Sequence, residues 1–299
     1  MDAAASLGRR DFAWLLFVCV VWALNFLMSA LGLREIPPFT FTLLRFAVLL
    51  LALIAFLRLP PRDQWPRLAG VSLLVGVLHF ALSFLALRLS GDLSSPAIVM
   101  QSYIPMTTLL AWWLLGERFG IWTGSAIAIS FAGVLVLGFD PHVLSRPLAL
   151  ATMLLSALAL AIGTVLMKGL RGIDMANQQG WMAVFSLPPL LAISLWLEPG
   201  ALPALVEASP VAWMGVAYAA LASSLLGHGI YYTLVQRHPV ALMMPWLLLV
   251  PLMAMALGIA FWGDRPGLRV YLGGAMVLGG VLVIALRKRL HARQAQASS

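Results

Sequence analysis

Charge is what this chain has least of. Its 299 residues include only 11 Asp and Glu and 19 Lys and Arg, 10% of the total, against 62% hydrophobic residues. Soluble domains carry about 25% charge, and the surface of a water-facing globule of this length needs more than is present here. Lipid is therefore the expected solvent. Cysteine is nearly absent as well: Cys19 stands alone inside an apolar run, which excludes a disulfide scaffold and marks it as a small buried hydrophobe. Acids are missing from one place above all. Each of the eleven lies at or near the end of an apolar segment, so no carboxylate sits mid-segment to carry a proton, hold sodium or pair with a cationic substrate. HExxH, GxSxG, Gly-rich phosphate loops and clustered metal ligands are also absent, so the chain lacks the signatures of an intramembrane enzyme, and no cofactor or metal is expected. The net charge of +8 does not point to nucleic acid, because the basic residues occupy short gaps between apolar segments instead of one face.

A spanning helix takes about 20 mainly apolar residues. By that measure the chain holds ten: 12–33, 38–57, 68–88, 94–115, 120–139, 148–168, 176–197, 210–235, 240–262 and 268–286. The gaps are too short for an extramembrane domain, so function must reside in the helix bundle or at its mouths. Arg9 and Arg10 before the first segment imitate a secretory leader, but that apolar stretch exceeds the 7–15 residues of a typical leader core and is read as a retained first helix. With the amino terminus inside, thirteen Lys and Arg fall on the cytoplasmic side, among them Arg9, Arg58, Arg67, Lys168, Arg237 and the tail Arg287, Lys288, Arg289 and Arg293. Five fall outside: Arg34, Arg88, Arg146, Arg265 and Arg269. The asymmetry places both termini in the cytoplasm.

The chain also matches itself. Gly116-Glu117-Arg118-Phe119-Gly120 returns 147 residues later as Gly263-Asp264-Arg265-Pro266-Gly267, and Ala132-Gly133-Val134-Leu135 returns at the same offset as Gly279-Gly280-Val281-Leu282. Each pair follows a proline-containing segment, with Pro105 in the first and Pro251 in the second. Five helices per repeat is an odd number, so the second copy must enter the membrane from the opposite side. Such inverted repeats place a substrate site near the midplane, between halves that move against each other.

Ten helices in two repeats, Pro38 and Arg45 in the second helix, and an acidic turn after helices four and nine resemble the drug/metabolite transporter superfamily with two EamA repeats. The chain is most similar there to the bacterial YddG-type exporters. The resemblance covers residues 12–286 and implies an all-α integral membrane protein of the bacterial inner membrane. It further implies a first repeat over 11–140, a second over 147–287, a basic tail over 288–299, and export of aromatic or other apolar amino acids and related metabolites. The second repeat departs from the pattern, with Asp264 where Glu is usual and no counterpart of Arg45 in helix seven.

Polar side chains inside a bilayer are costly and face the bundle interior. The candidate cavity residues are Trp22 and Asn25 on helix one, His79 and Ser83 on helix three, Met100, Gln101 and Tyr103 on helix four, Gln178 and Trp181 on helix seven, His228, Tyr231 and Tyr232 on helix eight, and Trp246 on helix nine. Ser and Thr residues such as Ser83, Ser156, Thr164 and Ser224 serve helix contact as readily as substrate. Gly120, Gly124, Ala128 and Ala132 form a small-residue ladder expected to pack closely. Pro105, Pro245, Pro251, Gly227 and Gly229 are candidate bending points. Arg45 is the one charge deep in a segment. It either ties helix-end carbonyls or meets a substrate carboxylate. One deep arginine without a deep acid suits a neutral or zwitterionic small molecule better than a phosphate or a cation. Facilitated transport is the expected mode; the alternative is a drug/metabolite exporter of another substrate class, with proton exchange through His79 or His228. The oligomeric state stays open and a monomer suffices.

Overall fold

An apolar run crosses a bilayer as a helix because every backbone N–H and C=O must be satisfied within the segment. The computed structural model describes residues 7–116, 118–238 and 240–297, apart from the side chains at 232, 235–236, 240–242, 244, 288–289 and 291–297. Glu117 of the first acidic turn, and the side chains of Lys288, Arg289 and Arg293 in the tail, therefore lie outside the description. Among the described residues ten helices are long and apolar enough to span: α1 (Arg9–Gly32), α2 (Pro38–Phe56), α3 (Arg62–Ser90), α4 (Ser94–Leu115), α5 (Ile121–Gly138), α6 (Pro147–Met167), α7 (Met175–Leu197), α8 (Pro210–Tyr231), α9 (Pro245–Trp262) and α10 (Leu268–Arg287). One boundary departs from the expected segments by more than a few residues: helical turns starting at Arg62 lead into α3. A helix from Val240 leads into α9, where the expected segment begins.

Proline opens α2, α6 and α8, where its missing N–H costs nothing and its fixed φ suits the first turn. The sparse acids sit where helix starts need anions. Asp174 caps its own helix, accepting from Asn177 N at 2.9 Å. Others reach across the molecule. Glu198, at the end of α7, accepts from Phe39 N at 2.9 Å and from Thr40 N and Oγ1 at 2.7 Å each, capping α2. Asp264, after α9, takes Leu93 N at 3.0 Å, Ser94 N at 2.9 Å and Ser94 Oγ at 2.5 Å, capping α4. Glu35 accepts from Ser209 N and Oγ at 2.7 and 2.6 Å, ahead of α8. Helix starts expose free N–H groups and a partial positive charge, which these carboxylates satisfy together. The absence of acids mid-segment and their crowding at segment ends are one fact.

Packing follows a five-helix shift. α1 lies against α8 and α9 as α6 lies against α3 and α4; α2 lies against α8 as α7 lies against α3; and α2 meets α7, α4 meets α9 and α5 meets α10. The α5–α10 seam repeats the pattern residue by residue. A Cβ on Gly133 would meet Gly273 O at 2.6 Å and Val277 N at 2.9 Å; one on Gly280 would meet Ala126 O at 2.5 Å and also Ser130 Oγ. Ser130 Oγ donates to Val277 O at 3.4 Å, and these two residues are 147 apart. The partners of Gly133 are thus the repeat counterparts of the partners of Gly280, and contacts that climb α5 descend α10, so the two helices cross antiparallel.

One expectation fails here. The ladder Gly120, Gly124, Ala128, Ala132 is not the packing face of α5: Gly120 and Ala128 are exposed, and the buried row is Ala126, Ser130, Gly133 and Leu137. Small residues line both faces of α5, so their spacing alone does not tell the seam from the lipid side.

Candidate functional site

Two structural irregularities recur at the repeat offset. α4 is broken at Gln101–Ser102, between helices Ser94–Met100 and Tyr103–Leu115, and α9 is broken at Leu248, between Val240–Leu247 and Leu249–Leu257. Pro105 and Pro251 sit just beyond the breaks, where a missing N–H removes a ladder bond. α3 and α8 each widen into a π-helical stretch, at Ser72–His79 and Tyr218–Gly227. The first stretch ends at His79 and the second runs directly into His228. Paired broken helices in corresponding positions of two halves mark transport sites, and π-type turns recur at functional sites.

Between these features lies a cavity of about 450 Å³, lined by residues of α1–α4 and α6–α9. It gathers Trp22, Asn25, Arg45, His79, Ser83, Met100, Gln101, Tyr103, Gln178, His228 and Tyr231. Two candidates are not brought there. Trp181 lies at the bundle end, its Nε1 donating to Arg58 O at 2.8 Å and its ring against Trp65 and Phe185. Trp246 packs against Phe12 and is 41% exposed. The side chain of Tyr232 is outside the described residues. The cavity also holds residues the polar pattern passed over: Phe46, Phe80 and Phe84 form an aromatic wall, and Gln179 donates Nε2 to Ser224 O at 3.1 Å. Phenylalanines carry no polar mark, but Phe80 and Phe84 share the helical face next to His79 and Ser83, which was the available signal.

Hydrogen bonds fix several lining groups. His79 Nδ1 is 2.9 Å from Ser156 Oγ, which itself donates to His79 O at 2.8 Å. His228 Nδ1 is 3.0 Å from Ser223 O, and its ring lies 5.1 Å from that of Trp22. Trp22 Nε1 donates to the same Ser223 O at 3.3 Å, and Tyr231 packs edge-on to the indole at 5.4 Å. Gly227 leaves room for it, since a Cβ there would sit 2.6 Å from Trp22 Nε1; at Gly229 the same space is open. Arg45 is buried, with Nε and Nη2 both on Ser224 Oγ at 3.1 and 2.7 Å. No Asp or Glu lines the cavity, and no metal-binding group of His, Cys, Asp and Glu occurs among the described residues.

The cavity lining reaches Met167 and Met175, the last residue of α6 and the first of α7, at the bundle end that holds the chain termini. The opposite end is where Asp264, Glu198 and Glu35 tie helix starts across the molecule.

The profile of the EamA-like transporter family matches residues 11–139 and 147–286, nearly the whole chain in two copies. The chain belongs to the EamA-like transporter family. Among EamA-like relatives it is 27% identical over 287 residues to a protein of Escherichia coli (strain K12) described as a "Probable amino-acid metabolite efflux pump", covering 93% of this chain and 95% of that one. It is 28% identical over 293 residues to a "Probable biotin transporter" of Pseudomonas aeruginosa, covering 92% and 98%, and 24% identical to the "Uncharacterized inner membrane transporter YedA" of Escherichia coli, covering 93% and 92%. A solved structure titled "Crystal structure of protein" superposes with a TM-score of 0.60 at 18% identity, covering 93% of this chain and 98% of that one, and shares the fold. The superfamily and its two EamA repeats are those the motifs point to. This is a multi-pass membrane transporter. The narrower likeness to YddG-type exporters rests on the sequence motifs alone.

Proposed function

We propose that this EamA-like transporter exports neutral amino acids, aromatic and other apolar ones foremost, and related metabolites from the cytoplasm by alternating access through the cavity. One observation carries the reading: a cavity lies between two paired helix breaks, with a few amide, hydroxyl and imidazole groups set in an aromatic and aliphatic wall. A zwitterion with an apolar side chain needs that combination. The reciprocal α5–α10 contacts support an inverted repeat, with units over 11–140 and 147–287. The Lys and Arg asymmetry supports cytoplasmic termini, and with that orientation the cavity faces inward. The relatives' names support efflux of amino-acid metabolites across the inner membrane.

Transport is facilitated, because ion-driven carriers commonly hold their proton or cation on a carboxylate in the site and none lines this one. The rival reading, proton exchange through His79 or His228, draws on their twin positions at the ends of the π-helical stretches. Counterflow in proteoliposomes with a panel of labelled amino acids tests the proposal. Exchange of Phe, Trp, Leu or Met, at rates unchanged by an imposed proton gradient, is expected. Movement of drugs or lipids without any amino-acid exchange contradicts it, and a proton effect abolished by His79→Ala or His228→Ala establishes the rival.

A further inference from the structure

Arg45 is the largest fully buried side chain among the described residues, and it is short of partners. A guanidinium presents five N–H donors in a planar fork. Here Nε and Nη2 converge on one oxygen, Ser224 Oγ, whose own proton goes to Ala219 O at 2.9 Å. Nη1 is sealed from solvent and has no hydrogen-bond partner. The guanidinium carbon lies 3.8 Å from the centroid of the Phe80 ring, with Phe46 and Phe84 further off at 5.9 and 5.6 Å. Ring faces attract a cation but do not cancel its charge. No Asp or Glu among the described residues pairs with Arg45, and none lines the cavity it borders. A buried charge without a counter-ion is among the most costly arrangements in a protein. This one stands in the wall of a cavity through which solutes are expected to pass.

We infer that Arg45 docks a substrate carboxylate through its unpartnered Nη1 edge, and that the site favours monocarboxylates whose amino group is blocked or absent, such as N-acylamino acids and 2-oxo acids. The inference rests on the cavity being the transport site proposed above. Charge balance carries it. The lining offers a substrate ammonium only neutral acceptors, such as Asn25, Gln101 and Gln178, and the ring faces of Trp22 and Tyr231. A bound zwitterion therefore leaves the arginine charge uncancelled in a low-dielectric site, whereas a monocarboxylate leaves the loaded cavity neutral. An amine with its carboxyl blocked brings a second positive charge and is the worst fit. Phe80 borders both the guanidinium and the cavity.

The test is counterflow with the full-length protein in proteoliposomes, using phenylalanine, N-acetylphenylalanine, phenylpyruvate and phenylalaninamide, each as label and as competitor. The two carboxylates lacking an ammonium should exchange and should compete at or below the concentrations phenylalanine needs. The amide should compete about tenfold or more weakly, as expected when a charged hydrogen-bond pair is lost. Arg45→Lys keeps the charge without the fork. It should weaken all three carboxylates about tenfold and leave the amide unchanged, with monodisperse elution as the check on folding. An amide that competes as well as phenylalanine overturns the inference, as does exchange of phenylalanine without exchange of the two anionic carboxylates. The wild-type panel decides this even if the variant fails to fold. Exchange of the anionic carboxylates without phenylalanine overturns the amino-acid reading and leaves the inference standing.

Discussion

Gly227 owes its identity to a neighbour on another helix, since the space a Cβ would take is held by the Trp22 indole. Gly227→Ala should therefore push Trp22 off Ser223 O and into the cavity. Transport KM should rise severalfold with little loss of thermal stability, and tryptophan emission should shift; Gly229→Ala, with open space around it, should do neither. Carboxylates Glu35 and Asp92, in loops at the end away from the chain termini, respond to pH in opposite directions. The Ser209 hydroxyl and amide hold the Glu35 carboxyl below its ordinary range. Its stabilising contribution is thus present above the unfolded value and is lost as pH falls through the folded one. Burial, with Asp264 as a further contributor, pushes the Asp92 carboxyl up, so its ionisation removes stability as pH rises from the unfolded value through the folded one. Melting curves across the acid range should show Glu35→Gln destabilised near neutrality and matching the wild type in acid, while Asp92→Asn flattens the decline towards neutral pH.

At the scale of elements, the link from Asp264 to the start of α4 joins the two repeats. Three donors converge on its Oδ2 while Oδ1 has no partner. Asp264→Ala should cost about 1–2 kcal/mol, read as a lower melting temperature, because it strips a helix start of its cap. Asp264→Asn, which can still accept, should cost less. If α4 and the α9–α10 turn part when the cavity opens to the far side, the same variant should also speed labelling of Ser95→Cys by a membrane-impermeant thiol reagent; unchanged labelling would separate the cap from gating. Most of this architecture is legible in the sequence. Spans follow from apolar length, and the repeat follows from two motif pairs at one offset. The breaks in α4 and α9 are foreshadowed by Pro105 and Pro251. The seam of α5 is not legible, since glycine and alanine occupy both of its faces. Nor is the aromatic wall at Phe80 and Phe84, because in an apolar chain a cavity-facing phenylalanine looks like a lipid-facing one. Trp181 and Trp246 misled for the complementary reason: a tryptophan marks a bilayer interface as readily as a site.

Across the whole molecule, the cavity lining reaches the end where the chain termini lie, and the opposite end is tied by cross-helix caps. The paired breaks in α4 and α9 lie next to the cavity. The central claim is that solutes cross through this cavity and no other route. It is tested most directly by counterflow of labelled phenylalanine into phenylalanine-loaded proteoliposomes, with the wild type beside Gln101→Trp, which fills the cavity at the α4 break. A transient accumulation of label with the wild type, lost with a monodisperse Gln101→Trp protein, is the predicted result. Accumulation that survives the filled cavity contradicts the account.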